Sequence, residues 1–168
     1  MATAPDFIKP IPEISIRPMG EADVAAVVAS EKASYTFPWS EGIFRDCLRV
    51  GYVCRVVELD HEIIGHAVLS VEAGEAHILN ICVREAYRCR GVGRRLMDHL
   101  LERGRAAGMT DAFLEVRPSN TAAIRLYQSM GFEHVGIRRG YYQAVGGRED
   151  AAVLLRRLAR ESIAGESR

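Results

Sequence analysis

The chain has 168 residues, 48% of them hydrophobic and 26% charged, and its 22 basic side chains balance 22 acidic ones for a formal net charge of zero. That length holds one ordinary domain and excludes two full catalytic domains, and the composition excludes a chain disordered throughout. Balanced charge excludes bulk attraction to nucleic acid or to an anionic membrane.

The first 13 residues carry Pro5, Pro10 and Pro12 without periodicity and read as a loose arm. Ile14–Arg17 alternates apolar and polar, as a strand does. From Glu21 to Ser34, the residues Val24, Val27, Val28 and Glu31 form one helical stripe. Pro38 breaks that pattern, and Ser40 is placed to cap a second helix running to Val50. Three strand-like runs follow, Tyr52–Glu58, Glu62–Val71 and Ala76–Val83, with turns short enough for an antiparallel meander. A loop rich in Arg and Gly then opens a helix with Val92, Leu96, Leu100 and Ala107 near one face and Gly108 at its end. Ala112–Val116 is a strand, and Ser119 and Asn120 cap a helix ending at Gly131. Phe132–Tyr142 and Ala151–Leu155 read as final strands around the turn Val145-Gly146-Gly147, and the residues after 157 form a polar tail. The order β-α-α-β-β-β-α-β-α-β-β is that of a mixed α/β domain over residues 14–157.

No apolar run reaches the roughly 18 residues of a membrane span, and no signal peptide is visible, so a cytoplasmic protein is expected. Cys47, Cys54, Cys82 and Cys89 show no metal-binding spacing and are expected to be reduced thiols. His61, His66, His77, His99 and His134 show no ligand spacing either and are assigned no chemistry. No metal is expected.

The sharpest local feature is the segment Arg84–Arg95, which holds five arginines against one glutamate. Gly91 and Gly93 stand at a helix start, where unpaired N–H groups and the positive end of the helix dipole favour phosphate. The segment lacks the Gly-Lys-Ser/Thr of a Walker loop and the complete G-x-G-x-x-G of a dinucleotide site. Read alone, it is equally a tight strand-to-helix turn with solvated arginines.

Its neighbours decide between these readings. The order His77–Val83, then Arg88-x-x-Gly91-x-Gly93, then Leu114-Glu115-Val116-Arg117-Pro118-Ser119-Asn120, then Ala122–Tyr127 and Gly131-Phe132 resembles the Gcn-five-related N-acetyltransferases (GNAT). Within them, Phe37-Pro38-Trp39-Ser40, Asn80-Ile81-Cys82-Val83, Arg138-Arg139-Gly140-Tyr141-Tyr142 and Gly147–Ala151 are similar to the ribosomal-protein-alanine N-acetyltransferase branch. Cys89, where that family usually has a polar or basic residue, and the arm before Ile14 depart from its pattern.

The resemblance implies a GNAT fold, with a mixed, mostly antiparallel twisted sheet of six to seven strands flanked by about four helices. It implies acetyl-CoA as co-substrate and the N-terminus of a ribosomal protein as partner; an acetyltransferase for lysine or small-molecule amines, or a non-catalytic acyl-CoA-binding partner subunit, is the alternative. Neither nucleic acid nor membrane is expected as a partner, and a monomer or weak dimer is the expected assembly. Glu115 is then the base, working through a water, and Tyr127 the acid. Period 2 sets Glu115 with Phe113 and Arg117 on one face of an apolar-flanked strand, where burial favours basicity. A Glu–Arg cross-strand contact is the plain alternative, and for Tyr127 a core aromatic. Backbone groups of Ile81, Cys82 and Val83 are implied to pair with the pantetheine arm, which Asn120 also bonds while serving as a helix cap. Arg88, Cys89, Arg90, Gly91, Val92, Gly93 and Arg94 are implied to hold the pyrophosphate. Tyr35, Phe37 and Trp39 in one loop, and Arg139, Tyr141 and Tyr142 in another, are implied to grip the peptide. Phe37 and Trp39 have core packing as their alternative, Cys82 packing rather than an acetyl-cysteine, and Cys89 an inert position rather than an oxidisable thiol.

Overall fold

The computed structural model describes residues 13–158. The expected N-terminal arm up to residue 12 and the polar tail from residue 159 lie outside the described residues. Seven strands and four α-helices are present among the described residues, in the expected chain order. They fall into two compact units: one takes the residues up to Ser70 together with Ile78–Leu100, the other Val71–His77 and the residues from Leu101.

The first unit contains β1 (Ser15–Pro18), α1 (Val24–Ser34), α2 (Glu41–Val50), β2 (Val53–Leu59) and most of β3 (Glu62–Glu72). It also holds residues 78–83 of β4 (Glu75–Val83) and the start of α3 (Val92–Ala106). Strand order is β1-β2-β3-β4. β1 and β2 pair antiparallel with Ile16 opposite Val57, and β2 and β3 with Val56 opposite His66. The expected helix from Glu21 begins as a 3-10 turn, Glu21–Asp23, that runs directly into α1, and the Asp23 carboxylate caps it by accepting from Gly20 N at 2.8 Å. Ser40 caps α2 as its sequence requires, Oγ accepting from Ile43 N at 3.3 Å. The helices bury Val24, Val27, Phe44 and Cys47 against Cys54, Val56 and Val68 of the strands. Trp39 and Leu48 pack on the rim of this cluster.

Arg17 ties the edge strand down. Its Nε donates to Glu58 of β2 at 2.6 Å, and its two terminal nitrogens grip both Asp23 oxygens at 2.8 and 2.9 Å. Such a fork fits arginine and not lysine.

The second unit contains residues 75–77 of β4, the end of α3, β5 (Asp111–Val116), α4 (Thr121–Ser129), β6 (Glu133–Ala144) and β7 (Gly147–Arg157). Strand order is β4-β5-β7-β6, with β5/β7 and β6/β7 antiparallel. A helical crossover of this length between β4 and β5 suits a parallel pair. The last strands run longer than their hydrophobic pattern suggests, because the Val145–Gly146 turn is tight and pairs Ala144 directly with Gly147. The β6/β7 register breaks between Arg138 and Tyr142. Gly140 sits there at φ +56°, a conformation that side-chain-bearing residues rarely adopt. Gly140 N donates to Asp150 at 2.7 Å and Gly140 O accepts from Arg148 Nε at 2.5 Å.

The Arg17 guanidinium holds the Asp23 carboxyl below the ordinary carboxylate range. A lowered folded-state value means that the contribution is complete above the unfolded value near ~3.9 and is lost as pH falls through the folded one. Asp23→Asn therefore lowers the thermal midpoint at pH 7, and the gap from the wild type narrows progressively as the pH falls below the unfolded value near ~3.9. Melting curves across pH 2–8 check this, and a gap that persists undiminished at the acid end contradicts it.

Candidate active site

In the first unit, β4 leads into the arginine-rich loop. Arg84 N donates to Ile64 O of β3 at 2.9 Å. Alternate residues of an antiparallel strand address the same neighbour, so Cys82 shares that side while Ile81 and Val83 turn their backbone groups the other way. The Gly65 position agrees, since a Cβ there would meet Cys82 O at 3.0 Å. Of the three residues expected to pair with pantetheine, the geometry thus favours Ile81 and Val83. Their carbonyls accept from within the unit: Ile81 O from Tyr35 Oη at 2.5 Å, and Val83 O from Arg88 Nε at 2.9 Å.

Cys89 and Gly91 both take positive φ, +58° and +83°, and the chain then enters α3 with Val92 buried. Arg95 N bonds back to Gly91 O at 3.1 Å, which makes Gly91 the cap and leaves Val92 and Gly93 N–H groups at the helix start without intrahelical acceptors. Arg90 Nε is buried and has no hydrogen-bond partner. An orphaned guanidinium nitrogen beside a helix N-terminus fits an anionic ligand such as a pyrophosphate. Cys89 is exposed, and Cys82 is buried with its thiol pushed up by desolvation, which disfavours a thiolate nucleophile.

The loop Tyr35–Trp39 divides its aromatics. Phe37 is 39% exposed, whereas Trp39 packs on Phe44 with ring centroids 5.4 Å apart. Glu31 holds this loop from below. It is buried, yet its Oε1 accepts from Trp39 N at 3.3 Å and from Asn80 Nδ2 at 3.1 Å, and its Oε2 lies 2.8 Å from His66 Nε2. Ligand atoms of Glu31, His66 and Cys82 lie within 4.8 Å of one another, a proximity between α1, β3 and β4 that their sequence spacing does not show. The carboxylate already has donors on both oxygens, so hydrogen bonding accounts for its burial.

In the second unit, β5 alternates as its sequence requires: Ala112, Leu114 and Val116 are buried, and Phe113, Glu115 and Arg117 share the other face. The Glu115 side chain is only 5% exposed, and charged or polar groups face both of its oxygens, among them the arginine that the alternative reading expected. Oε2 lies 2.5 Å from His77 Nε2, and Oε1 lies 3.0 Å from Arg138 Nε. The Arg138 contact is an ion pair without hydrogen-bond alignment, and Oε1 is buried with no hydrogen-bond partner. His77 in turn stacks on Phe113, with centroids 4.1 Å apart and planes at 18°.

Asn120 Oδ1 caps α4, accepting from Ala123 N at 3.2 Å. Tyr127, two turns on, is buried, and desolvation pushes its hydroxyl up to about 12. The register break in β6 sets out Tyr141, which is exposed, and Tyr142, which is half-buried, at 4.9 Å and nearly perpendicular. Arg117 lies over the Tyr142 ring at 4.4 Å and pairs with Glu149 at 3.1 Å. Glu149 also accepts from Ser119 Oγ at 2.7 Å and is held below the usual carboxylate range, chiefly by that bond. Arg139 is exposed. Sequence reasoning gave no role to Glu31, His66, His77, Arg138 or Glu149. Glu31 stood out as a charged residue on an apolar helical stripe, and His77, Arg138 and Glu149 lay within the segments that carry the resemblance, but nothing local paired them.

The acetyltransferase (GNAT) family pattern matches residues 24–132, and the chain belongs to that family of N-acetyltransferases. A relative from Escherichia coli K12, the [ribosomal protein bS18]-alanine N-acetyltransferase, is 36% identical over 140 residues, 83% of this chain and 95% of its own. The crystal structure of the ribosomal-protein-S18-alanine N-acetyltransferase from Escherichia coli superposes with a TM-score of 0.82 at 34% identity, covering 93% of this chain and 99% of that one. The structure of yncA from Salmonella typhimurium with its cofactor acetyl-CoA shares the fold at a TM-score of 0.74 and 20% identity, over 94% of this chain and 100% of its own.

Replacing Glu31 by Leu orphans the Trp39 and Asn80 donors and the buried His66 ring, each at a cost of about 1–3 kcal/mol. Gln keeps one acceptor oxygen for Asn80 and Trp39. Glu31→Leu is therefore expected to lose several kcal/mol in urea denaturation and Glu31→Gln far less; equal losses would reject this account of the buried carboxylate.

Proposed function

We propose that the chain is an acetyl-CoA-dependent N-acetyltransferase that modifies the N-terminal alanine of a ribosomal protein, in the cytoplasm, as a monomer or weak dimer. The observation that carries the reaction is Glu115, a buried carboxylate with one oxygen engaged and the other, Oε1, lacking a hydrogen-bond donor. The choice of substrate rests on the Escherichia coli relative and its near-complete overlap with this chain.

The α-ammonium of the incoming chain loses one proton to Glu115 Oε1 through a water, which frees the lone pair for attack on the thioester carbonyl. A backbone N–H of Ile81 or Val83 is suited to donate to the developing oxyanion. The nitrogen still carries an extra proton after attack, and that proton ends on the departing sulfur. Tyr127, protonated throughout the working pH range at about 12, donates a hydrogen bond to the thiolate. A thiolate near ~8.5 does not strip such a phenol, so Tyr127 stabilises the leaving group and passes the proton on. Arg88, Cys89, Arg90, Gly91, Val92, Gly93 and Arg94 hold the pyrophosphate, with the unbonded Arg90 Nε and the helix start at Val92 and Gly93 as the donors that support this reading. Asn120 keeps its amide N–H groups for the pantetheine arm. Tyr35, Phe37 and Trp39, with Arg139, Tyr141 and Tyr142, flank the peptide.

An α-amine titrates near ~7.8 and a lysine near ~10.4, so freeing the lysine at neutral pH costs roughly 3.5 kcal/mol more. A single carboxylate base suits the α-amine. Glu115→Gln and Tyr127→Phe are each expected to cut kcat by about 10²–10⁴ with acetyl-CoA affinity nearly unchanged. Full activity in both variants rejects the assigned roles. Peptides with a free N-terminal alanine are turned over in preference to lysine peptides with a blocked N-terminus, and the reverse preference sinks the alanine reading. Because burial raises the Tyr127 hydroxyl, the wild-type pH profile climbs through the amine range and shows no descending limb below pH ~10.

A further inference from the structure

We propose that His77 is a positioning residue for acetyl transfer: it engages Oε2 of Glu115 and leaves Oε1 as the oxygen that takes the amine proton. The inference rests on the reading of Glu115 as the base.

Three observations carry it. The Oε2–Nε2 separation of 2.5 Å is far too short for two facing lone pairs, so a proton lies between the groups; with Glu115 ionised, as a base must be, the carboxylate can only accept and His77 Nε2 is the donor. The imidazole is itself fixed, stacked on Phe113 at 4.1 Å, and Phe113 shares a strand face with Glu115. The remaining oxygen, Oε1, is buried without a hydrogen-bond donor although Arg138 Nε stands 3.0 Å away. The two oxygens are therefore unequal before any substrate arrives.

A free glutamate side chain samples several rotamers, and either oxygen could face the amine. With Oε2 tied to β4 through His77, the carboxylate cannot swap its oxygens without breaking a charge-assisted bond. The charged and titratable groups facing Glu115 are His77 from β4 and Arg138, Tyr141 and Tyr142 from β6. Of these, only His77 has a hydrogen bond to the carboxylate. The proton count closes simply. One N–H bond of the ammonium breaks and an Oε1–H bond forms; the proton between Oε2 and Nε2 stays in place, and Oε1 returns its proton to water after product leaves. The net release is one proton per acetyl group transferred from the thioester to an ammonium.

The test is steady-state kinetics of the full-length protein with acetyl-CoA and the amine peptide it turns over best. Wild type, His77→Phe, His77→Gln, Glu115→Gln and the double variant His77→Phe/Glu115→Gln are compared, each checked for its thermal midpoint. Phe keeps the stack on Phe113 and removes the donor; Gln restores an N–H donor. His77→Phe is expected to lower kcat roughly tenfold to a hundredfold, the range for losing a hydrogen bond to a charged group, with the KM for acetyl-CoA little changed. His77→Gln recovers much of that loss, and His77→Phe has no further effect once Glu115 is Gln, because residues acting as a unit are not additive. Full activity in His77→Phe while Glu115→Gln is impaired overturns the role of His77 and spares that of Glu115. The same fold loss in both backgrounds also overturns it. Full activity in Glu115→Gln removes the base assignment, and this inference falls with it. Should His77→Phe not fold, His77→Leu is judged by the same criteria.

Discussion

A carboxylate leaves water only when donors replace the water on its oxygens, and that constraint shapes both units of this protein. Glu31 meets it with the Trp39 amide, the Asn80 side chain and His66. Meeting it ties together an aromatic loop, the strand carrying Ile81–Val83 and the helix α1. Glu115 meets the constraint only in part. His77 bonds one oxygen and Arg138 lends charge without a directed bond to the other. A fully answered carboxylate is structural cement, and a partly answered one keeps a proton acceptor in reserve. The contrast between the two glutamates is one of hydrogen bonding: Glu31 has donors on both oxygens and holds a loop, whereas Glu115 keeps one oxygen without a donor, as the proposed base requires.

The same logic extends to charge. The formal net charge of zero conceals a segment in which five arginines face one glutamate. Their roles differ once the chain is folded. Arg84 pairs with Glu62, Arg88 braces its own loop by bonding Val83 O, and Arg90 keeps a buried Nε without a hydrogen bond. One arginine thus builds the turn and its neighbour supplies an unspent donor. In the second unit Arg117 and Arg138 lie against tyrosine rings while pairing with Glu149 and Glu115, so cation, aromatic and carboxylate from β5, β6 and β7 meet.

What was legible in the sequence was local. Ser40 and Asn120 announce helix starts because a side-chain oxygen bonds an amide three residues ahead, and both caps form. Period 2 in β5 assigns Glu115 its face before any neighbour is known, since alternation is a property of the strand itself. The Phe37-Pro38-Trp39 break and the glycines at 91 and 93 mark loop boundaries for the same reason. The segment Glu21–Ser34 is helical as read, with its first turn, Glu21–Asp23, wound as 3-10 and capped by the Asp23 carboxylate.

The partners of those side chains belong to the tertiary structure. His66 reaches Glu31 across 35 residues and His77 reaches Glu115 across 38, so no spacing rule could pair them. Both histidines lie in strands rich in apolar residues, and what distinguishes them is only which residue the sheet and the helices bring within hydrogen-bond range. The sequence by itself determined the element order, the caps, the arginine-rich loop and the face on which Glu115 stands, because each depends on residues within a few positions of one another. Only the tertiary structure decided that one oxygen of Glu115 is engaged and the other is not, because that asymmetry is set by a hydrogen bond from β4 and an undirected charge from β6, whose approach is fixed by strand packing.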